Sequence, residues 1–342
     1  MVFDMICNKK TAAIIRSTYH PVVKQYMDII KLAFVSAGFH VVDVSLKEKI
    51  NRNTVVVTDS PLVAIKYLFK GIKNNYVWYQ GVAPEESFVN NHSKLRFILL
   101  SFVEKKVMKK AKFLFFVSDE MKRFYERKYK LNLDDKSFIM PCFNEKEVVE
   151  SVFSDDKYSQ NNFVYLGGLQ LWQCFEQTVS IYSVIERRSE KPTKLYVFSA
   201  NKDQVVAILK KYGVKNYEVD FVSPQELSSR IKNVKYGFVL REDNSVNNVA
   251  TPTKFSNYLS NGIIPIYSNA VKSFAEYDSK LNLGVICNLN NVEEGVENIL
   301  SHMEKNITAA EIKEKCHTVF SDYYNYQMYV DKIANKIKAI NL

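Results

Sequence analysis

The chain has 342 residues, 47% of them hydrophobic and 13% aromatic, with 47 Lys or Arg against 37 Asp or Glu for a formal charge of +10. That length suits two domains of roughly 150 residues each, and so apolar a composition excludes a disordered chain. No run reaches the roughly 18 apolar residues of a membrane span, and MVFDMICNKK at the start lacks the apolar stretch of a signal peptide, so a cytoplasmic protein is expected.

In chain order, TAAIIRST, HVVDVSL, NTVVVTDS, YVWYQG, FLFFVS and SFIMP are short apolar, β-branched or aromatic runs that read as strands. Helical patterns over 22–37 and 61–69 lie between them, and helix-start signals stand at strand ends: Ser60 before Pro61, and Ser118 before Asp119 and Glu120. Between Lys94 and Lys130, 12 basic residues stand against 4 acidic ones. Within that segment KLRFILLSFVEKKVMKKAK predicts an amphipathic helix, with Leu95, Leu99, Phe102, Val103 and Val107 on one side and Lys105, Lys106, Lys109, Lys110 and Lys112 largely elsewhere. Two readings stay open for it: a core helix with a solvated basic face, or peripheral contact with the anionic inner face of the plasma membrane. No nucleic-acid reading motif accompanies the charge, so a nucleic-acid partner is not expected.

The polar run DDKYSQNN at 155–162 reads as a linker between domains at 1–155 and 156–320. Beyond it, NFVYLGG, a helix beginning near Trp172, TKLYVFSAN, YEVDFVSPQEL, YGFVLRED, IIPIYS and LGVICNL repeat the strand-helix alternation. Ser223-Pro224-Gln225-Glu226 reads as a capping box with proline at the first helical position. In VATPTKFSNYLSNGIIPIY, Thr251 is the expected cap, Pro252 the first helical residue and Gly262 the terminator. A last helix at 321–342 could fold back over the first domain. The five cysteines (Cys7, Cys142, Cys174, Cys287, Cys316) are scattered, without a C-x-x-C spacing, and neither a disulfide framework nor a metal site is expected.

The fold class that follows is α/β, two Rossmann-like doubly wound domains facing a cleft, with ligands at the carboxyl edges of the strands. In the second domain those edges carry Gly167 and Gly168, Ser199 and Asn201, Val222 and Ser223, Arg241, and Thr251 through Lys254. Small residues, hydroxyls and two cations suit a diphosphate attached to something flat and polar.

The runs FVYLGGLQLWQ, GFVLRED and ATPTKFSNYLSNGIIPI resemble the donor-binding half of glycosyltransferase family 4, which has the GT-B fold. YQGVAPEES, followed by the basic helix and FLFFVSDEMKRFY, is similar to members that build bacterial surface polysaccharides such as O-antigen or capsule. The resemblance implies a nucleotide-sugar donor held by the second domain, a glycan or lipid-linked acceptor held by the first, and transfer with retention. It implies no cofactor beyond the donor, and no D-x-D metal motif is present. On this likeness Gly167 and Gly168 approach the donor phosphates, where a side chain would block the backbone. Thr251, Pro252, Thr253 and Lys254 meet the diphosphate and sugar, Arg241 adds a second cation, Phe221, Val222 and Ser223 border the base, and Ser199 and Asn201 share that edge. The chain also departs from the family. Two glutamates eight positions apart are replaced by Val249 and Asn257, and the Arg and Lys after the glycine pair by Leu169, Gln170 and Gln173. Asn257 keeps hydrogen-bonding capacity toward a ribose without the charge. Arg241 and Lys254 are therefore the catalytic candidates, placed to stabilise the charge on a departing diphosphate.

The acceptor candidates lie in the first domain: Ser17, His20, Asp59, Gln80, Gly81, Glu85 and Glu86. For Glu85 and Glu86 a helix-start role, an acceptor contact and a general base all stay open, and Asp59 is as readily a cap or turn residue. No G-x-S-x-G, Walker-type loop or Ser-His-Asp arrangement is present. Two other classes remain: a catalytically inactive nucleotide-sugar-binding or scaffolding subunit, and a nucleotide-sugar epimerase, which would need acidic and histidine groups around the sugar.

Overall fold

The computed structural model describes residues 10–18 and 20–341; Cys7 lies outside them. The chain divides into two compact units, one of residues up to Asn144 with 249–251 and 325 onward, the other of 145–248 and 252–324.

The first unit runs β1 (Thr11–Ile15), α1 (Pro21–Ser36), β2 (His40–Asp43), β3 (Val55–Thr58), α2 (Pro61–Phe69), β4 (Asn75–Tyr79), α3 (Ala83–Asn91), α4 (Lys94–Lys110), β5 (Phe113–Phe116), α5 (Asp119–Tyr129) and β6 (Ser137–Ile139). The second runs α6 (Asp155–Ser159), β7 (Asn161–Leu166), α7 (Phe175–Arg188), β8 (Thr193–Phe198), α8 (Lys202–Lys211), β9 (Tyr217–Asp220), α9 (Pro224–Ile231), β10 (Tyr236–Val239), α10 (Ser245–Val249), α11 (Lys254–Ser260), β11 (Ile264–Tyr267), α12 (Lys272–Leu281), β12 (Val285–Ile286), α13 (Val292–Met303) and α14 (Ala309–Asp322). α15 (Tyr326–Asn341) returns to the first unit and packs along α1, burying Tyr329, Val330, Ile333 and Ile337.

Each unit is built on a six-stranded parallel sheet, ordered β2-β1-β3-β4-β5-β6 in the first and β12-β11-β10-β7-β8-β9 in the second. A parallel sheet is covered on both faces, so its inner strands carry apolar side chains in both directions. Val55, Val56 and Val57, the run Phe113 to Phe116, and Tyr236 with Phe238 and Val239 are accordingly all buried. The strand order reverses between β1 and β3 in one sheet and between β7 and β10 in the other, and such switch points leave a crevice at the carboxyl edge.

Every strand expected from the sequence is present, and several local readings are corrected. The run 155–162 is no linker: Ser154 caps α6 through the Lys157 N–H, and β7 starts at Asn161. The helix expected near Trp172 starts at Phe175 after a short 3₁₀ turn, with Cys174 at φ 51° between them. α9 starts at Pro224, but the Ser223 hydroxyl donates to the Glu226 carboxylate (2.6 Å) and caps no backbone N–H. Leu95, Leu99 and Phe102 of α4 point to solvent, while Val107, Met108 and Glu104 are buried.

Two contacts seat α11 in the second unit. The Tyr258 ring lies on Gly237 of β10, where an added Cβ would stand 2.6 Å from the ring. Its hydroxyl accepts the Leu166 N–H (3.3 Å) and donates to the Phe238 carbonyl (3.2 Å), so one side chain ties α11 to both strands of the switch point. The helix ends on Gly262 at φ 60°, with Gly262 N–H on Leu259 O (3.1 Å) and Ile263 N–H on Tyr258 O (2.8 Å), the paired bonds of a Schellman turn. α6 closes over that end: Lys157 Nζ donates to Asn261 O (2.5 Å) and the Tyr158 hydroxyl to Gly262 O (2.7 Å).

Gly237→Ala should destabilise the protein by about 1–3 kcal/mol through overpacking, read as a lower urea midpoint at unchanged m. Burial pulls the Lys157 ammonium down to about 7, whereas the unfolded chain holds that proton to about 10.4. Between those values the unfolded state binds more protons, so stability should rise with pH by on the order of 1 kcal/mol per unit. Lys157→Met should remove that increment in pH-dependent denaturant melts.

Candidate functional site

The best-formed charged site lies in the second unit, at the β7/β10 switch point. β7 delivers Gly167 and Gly168. Gly167 sits at φ 125°, a backbone region that essentially only glycine enters, and its N–H donates to Phe198 O (3.0 Å). β10 delivers Arg241, whose backbone is fixed by one serine: Ser268 Oγ accepts its N–H (2.9 Å) and donates to its carbonyl (2.6 Å). The Arg241 side chain is buried, at 6% exposure, and donates to the Leu240 carbonyl (2.9 Å).

Lys254 stands one helical turn before Tyr258, so the contact that fixes α11 also aims this lysine at the strand edge. Its ammonium lies 4.3 Å from the centre of the Tyr165 ring and donates to Gln173 Oε1 (2.5 Å). A Cβ on Gly167 would come within 3.1 Å of Lys254 Cε, so the glycine leaves room for the lysine itself. Burial, and then the charge of Arg241, hold Lys254 well below its ordinary pKa, and burial lowers Arg241 as well. No carboxylate contributes to either, and neither forms a salt bridge among the described residues. A buried and a half-buried cation side by side without an anion are held at a cost that a bound anion would relieve.

The hydroxyls expected beside them are arranged otherwise. Thr251 does not cap α11: its Oγ1 accepts the Cys142 N–H (3.0 Å), and it belongs to the first unit. Pro252 precedes the helix, and Thr253 stands at the cap position in helical conformation without a side-chain bond. Val249 is buried, and its carbonyl accepts from Ser118 Oγ (2.7 Å). Asn257 has a buried Oδ1 without a hydrogen-bond partner. Toward the β8 and β9 ends, Ser199 Oγ accepts the Asn201 N–H (3.3 Å), Phe221 is exposed, and Val222 and Ser223 are half-buried. Sequence reasoning missed Tyr165, Tyr258, Ser268 and Gln173 as the residues that position the cations. Only the i, i+4 spacing of Lys254 and Tyr258 was a signal in the sequence.

In the first unit the β1/β3 switch point brings three expected residues together. Asp59 Oδ2 accepts the N–H (2.7 Å) and Oγ (2.9 Å) of Ser17, and Gln80 Nε2 donates to the Asp59 carbonyl (2.7 Å). Asp59 is buried, its Oδ1 has no partner, and burial raises its carboxyl despite the bonds from Ser17. His20 is exposed at the start of α1 and caps nothing with its ring. Glu85 and Glu86 have internal partners: Glu85 pairs with Lys128 (2.8 Å), and Glu86 accepts the Val82 N–H (3.1 Å). Gly81 packs against Glu86, where a Cβ would stand 2.0 Å from Oε1. Among the described residues no group of three or more His, Cys, Asp or Glu could hold a metal ion.

No protein-family model and no curated protein matches the chain. Solved structures do resemble it. HepE of Anabaena, in complex with UDP and glucose, aligns at a TM-score of 0.68 and 10% identity over 96% of this chain and 100% of that one. WaaG, a glycosyltransferase of lipopolysaccharide biosynthesis, aligns at 0.62 and 11% identity over 94% and 99%. TarM of S. aureus, in complex with fondaparinux, α-GlcNAc-glycerol and UDP, aligns at 0.61 and 10% identity over 85% of this chain, which spans 56% of TarM. With two parallel six-stranded sheets and interleaved helices, the chain has the GT-B glycosyltransferase fold.

Proposed function

We propose that this protein is a retaining glycosyltransferase that moves a sugar, of hexosyl type, from a nucleotide-sugar donor to a glycan or lipid-linked acceptor in surface-polysaccharide synthesis, such as that of O-antigen or capsule. The observation that carries this reading is the pair of adjacent cations, buried Arg241 and half-buried Lys254, without a carboxylate partner among the described residues at the β7/β10 switch point. The donor diphosphate would lie against both, over Gly167 and Gly168. As the bond from the sugar C1 to the phosphate oxygen breaks, charge gathers on the diphosphate and these groups hold it more tightly than in the ground state. The acceptor oxygen bonds to C1 on the same face, and its proton passes to the departing phosphate. In this reading Arg241 and Lys254 supply the positive charge and no metal is required. Asn257 Oδ1 would accept from the ribose. Ser199, Asn201, Phe221, Val222 and Ser223 would line the rest of the donor site, with the Thr251–Thr253 segment on the diphosphate side. Ser17, His20, Asp59, Gln80, Gly81, Glu85 and Glu86 would form the acceptor side, in a protein of the cytoplasm working at an anionic membrane surface. A second reading, a nucleotide-sugar-binding subunit without activity, is favoured by Val249 and Asn257 in place of the family glutamates.

Calorimetry with UDP, GDP, dTDP, CMP and their sugars should find one nucleotide bound, and either Lys254→Ala or Arg241→Ala should weaken it. Either change should lower acceptor-dependent nucleotide release about 100- to 1000-fold. No binding by a folded wild type would refute the donor site, while binding without release would support the silent subunit. Activity should persist in EDTA. Asn257→Leu removes an unsatisfied buried acceptor, so it should stabilise the free protein by about 1 kcal/mol in a urea melt and weaken nucleotide binding about 10-fold.

A further inference from the structure

α4 is turned inside out relative to an ordinary core helix. Leu95, Ile98, Leu99 and Phe102 recur at i, i+3, i+4 and i+7, the spacing of one helix face, and are 69%, 62%, 58% and 62% exposed. Phe69 at the end of α2, 70% exposed, adjoins them, since Lys106 Nζ lies 4.5 Å from its ring and 5.8 Å from that of Phe102. Leucine, isoleucine and phenylalanine on one continuous exposed stripe mark a surface that something covers.

The charges around the stripe select the occupant. α4 carries Lys94, Arg96, Lys105, Lys106, Lys109 and Lys110, against a single acidic residue, Glu104. Glu104 is turned inward, 2% exposed, where Tyr125 and Tyr129 hydroxyls (2.8 Å each) and Lys128 meet it. The outward face of α4 is therefore apolar and purely cationic, with basic residues at both ends of the helix. Pairing two copies through this stripe, parallel or antiparallel, would set lysine against lysine. An anionic lipid interface offers both complements at once, acyl chains for the stripe and headgroups for the rim.

We propose that α4, together with Phe69, is a membrane-docking face: the Leu95-Ile98-Leu99-Phe102 stripe enters the headgroup region of an anionic bilayer while Lys94, Lys105, Lys109 and Lys110 hold its phosphates. The proposal deepens the surface contact invoked above and rests on that reading only for the purpose of docking. The stripe inserts, so the contact does more than attract ions.

The test is sedimentation of the whole protein with extruded vesicles of phosphatidylcholine alone or mixed with phosphatidylglycerol, at low and high salt. The wild type should bind only the mixed vesicles and keep part of that binding at high salt. Leu95→Ser/Leu99→Ser/Phe102→Ser should lower binding about 100-fold at unchanged circular dichroism and melting temperature. Lys105→Gln/Lys109→Gln/Lys110→Gln should lower it about 10-fold, mainly at low salt. Wild type that ignores mixed vesicles, or that binds them just as well without the stripe, would overturn the proposal. So would a solution dimer that the stripe variant dissolves, which would make a second copy the occupant. Nucleotide calorimetry on the stripe variant should match the wild type. Loss of donor binding in the wild type would sink the transferase reading and leave vesicle binding untouched.

Discussion

An aromatic ring lying on a glycine governs the second unit. Tyr258 can reach β10 only because Gly237 has no Cβ, and from there its hydroxyl serves backbone groups of both β7 and β10. That single placement fixes the height and rotation of α11 over the sheet, and with it the direction in which Lys254 leaves the helix. The far end is fastened as firmly, by a glycine in left-handed conformation and by Lys157 and Tyr158 holding the terminal carbonyls. A helix of seven residues has little stability alone, so tertiary contacts of this kind must hold it.

What this scaffold holds is energetically unfavourable in the free protein. Some other buried charges are answered: Glu104 has a lysine and two tyrosine hydroxyls, and Asp278 accepts from the Tyr267 hydroxyl and from two backbone N–H groups. Arg241 and Lys254 face each other's charge with dipoles, the Tyr165 and Tyr258 side chains and the Cys174 thiol nearby. Groups left in such a state recur at functional sites, because the penalty is recovered when the ligand arrives. The orphan Oδ1 of Asn257 belongs to the same pattern.

The first unit distributes its polar groups differently. Its switch point is already internally bonded through Ser17, Asp59 and Gln80, and its acidic pair at the start of α3 is engaged by Lys128 and a backbone N–H. Its unsatisfied surface is instead the apolar outer face of α4, which the inward turn of Glu104 leaves free of negative charge.

Much of this was legible in the chain. Uninterrupted Val-Val-Val, Phe-Leu-Phe-Phe and Ile-Pro-Ile-Tyr runs between helical patterns can be buried on both sides only in a parallel sheet, and the strands stand where those runs do. The second-unit glycines, Arg241 and Lys254 were likewise visible at strand ends. The partners were not, because a hydrogen bond between Thr251 and Cys142, or Tyr258 and Leu166, joins residues about a hundred positions apart. Periodicity also finds an apolar face on α4 without saying which way it turns, since that helix carries apolar residues on both sides and only the packing of α2 and α3 selects the one to bury. By itself, then, the sequence determined the layered parallel architecture and the residue types at each strand edge, which follow from local spacing and burial. Tertiary structure decided which of those residues meet, which keep an unanswered charge, and which apolar surface stays exposed. Those outcomes depend on long-range contacts that no local pattern encodes.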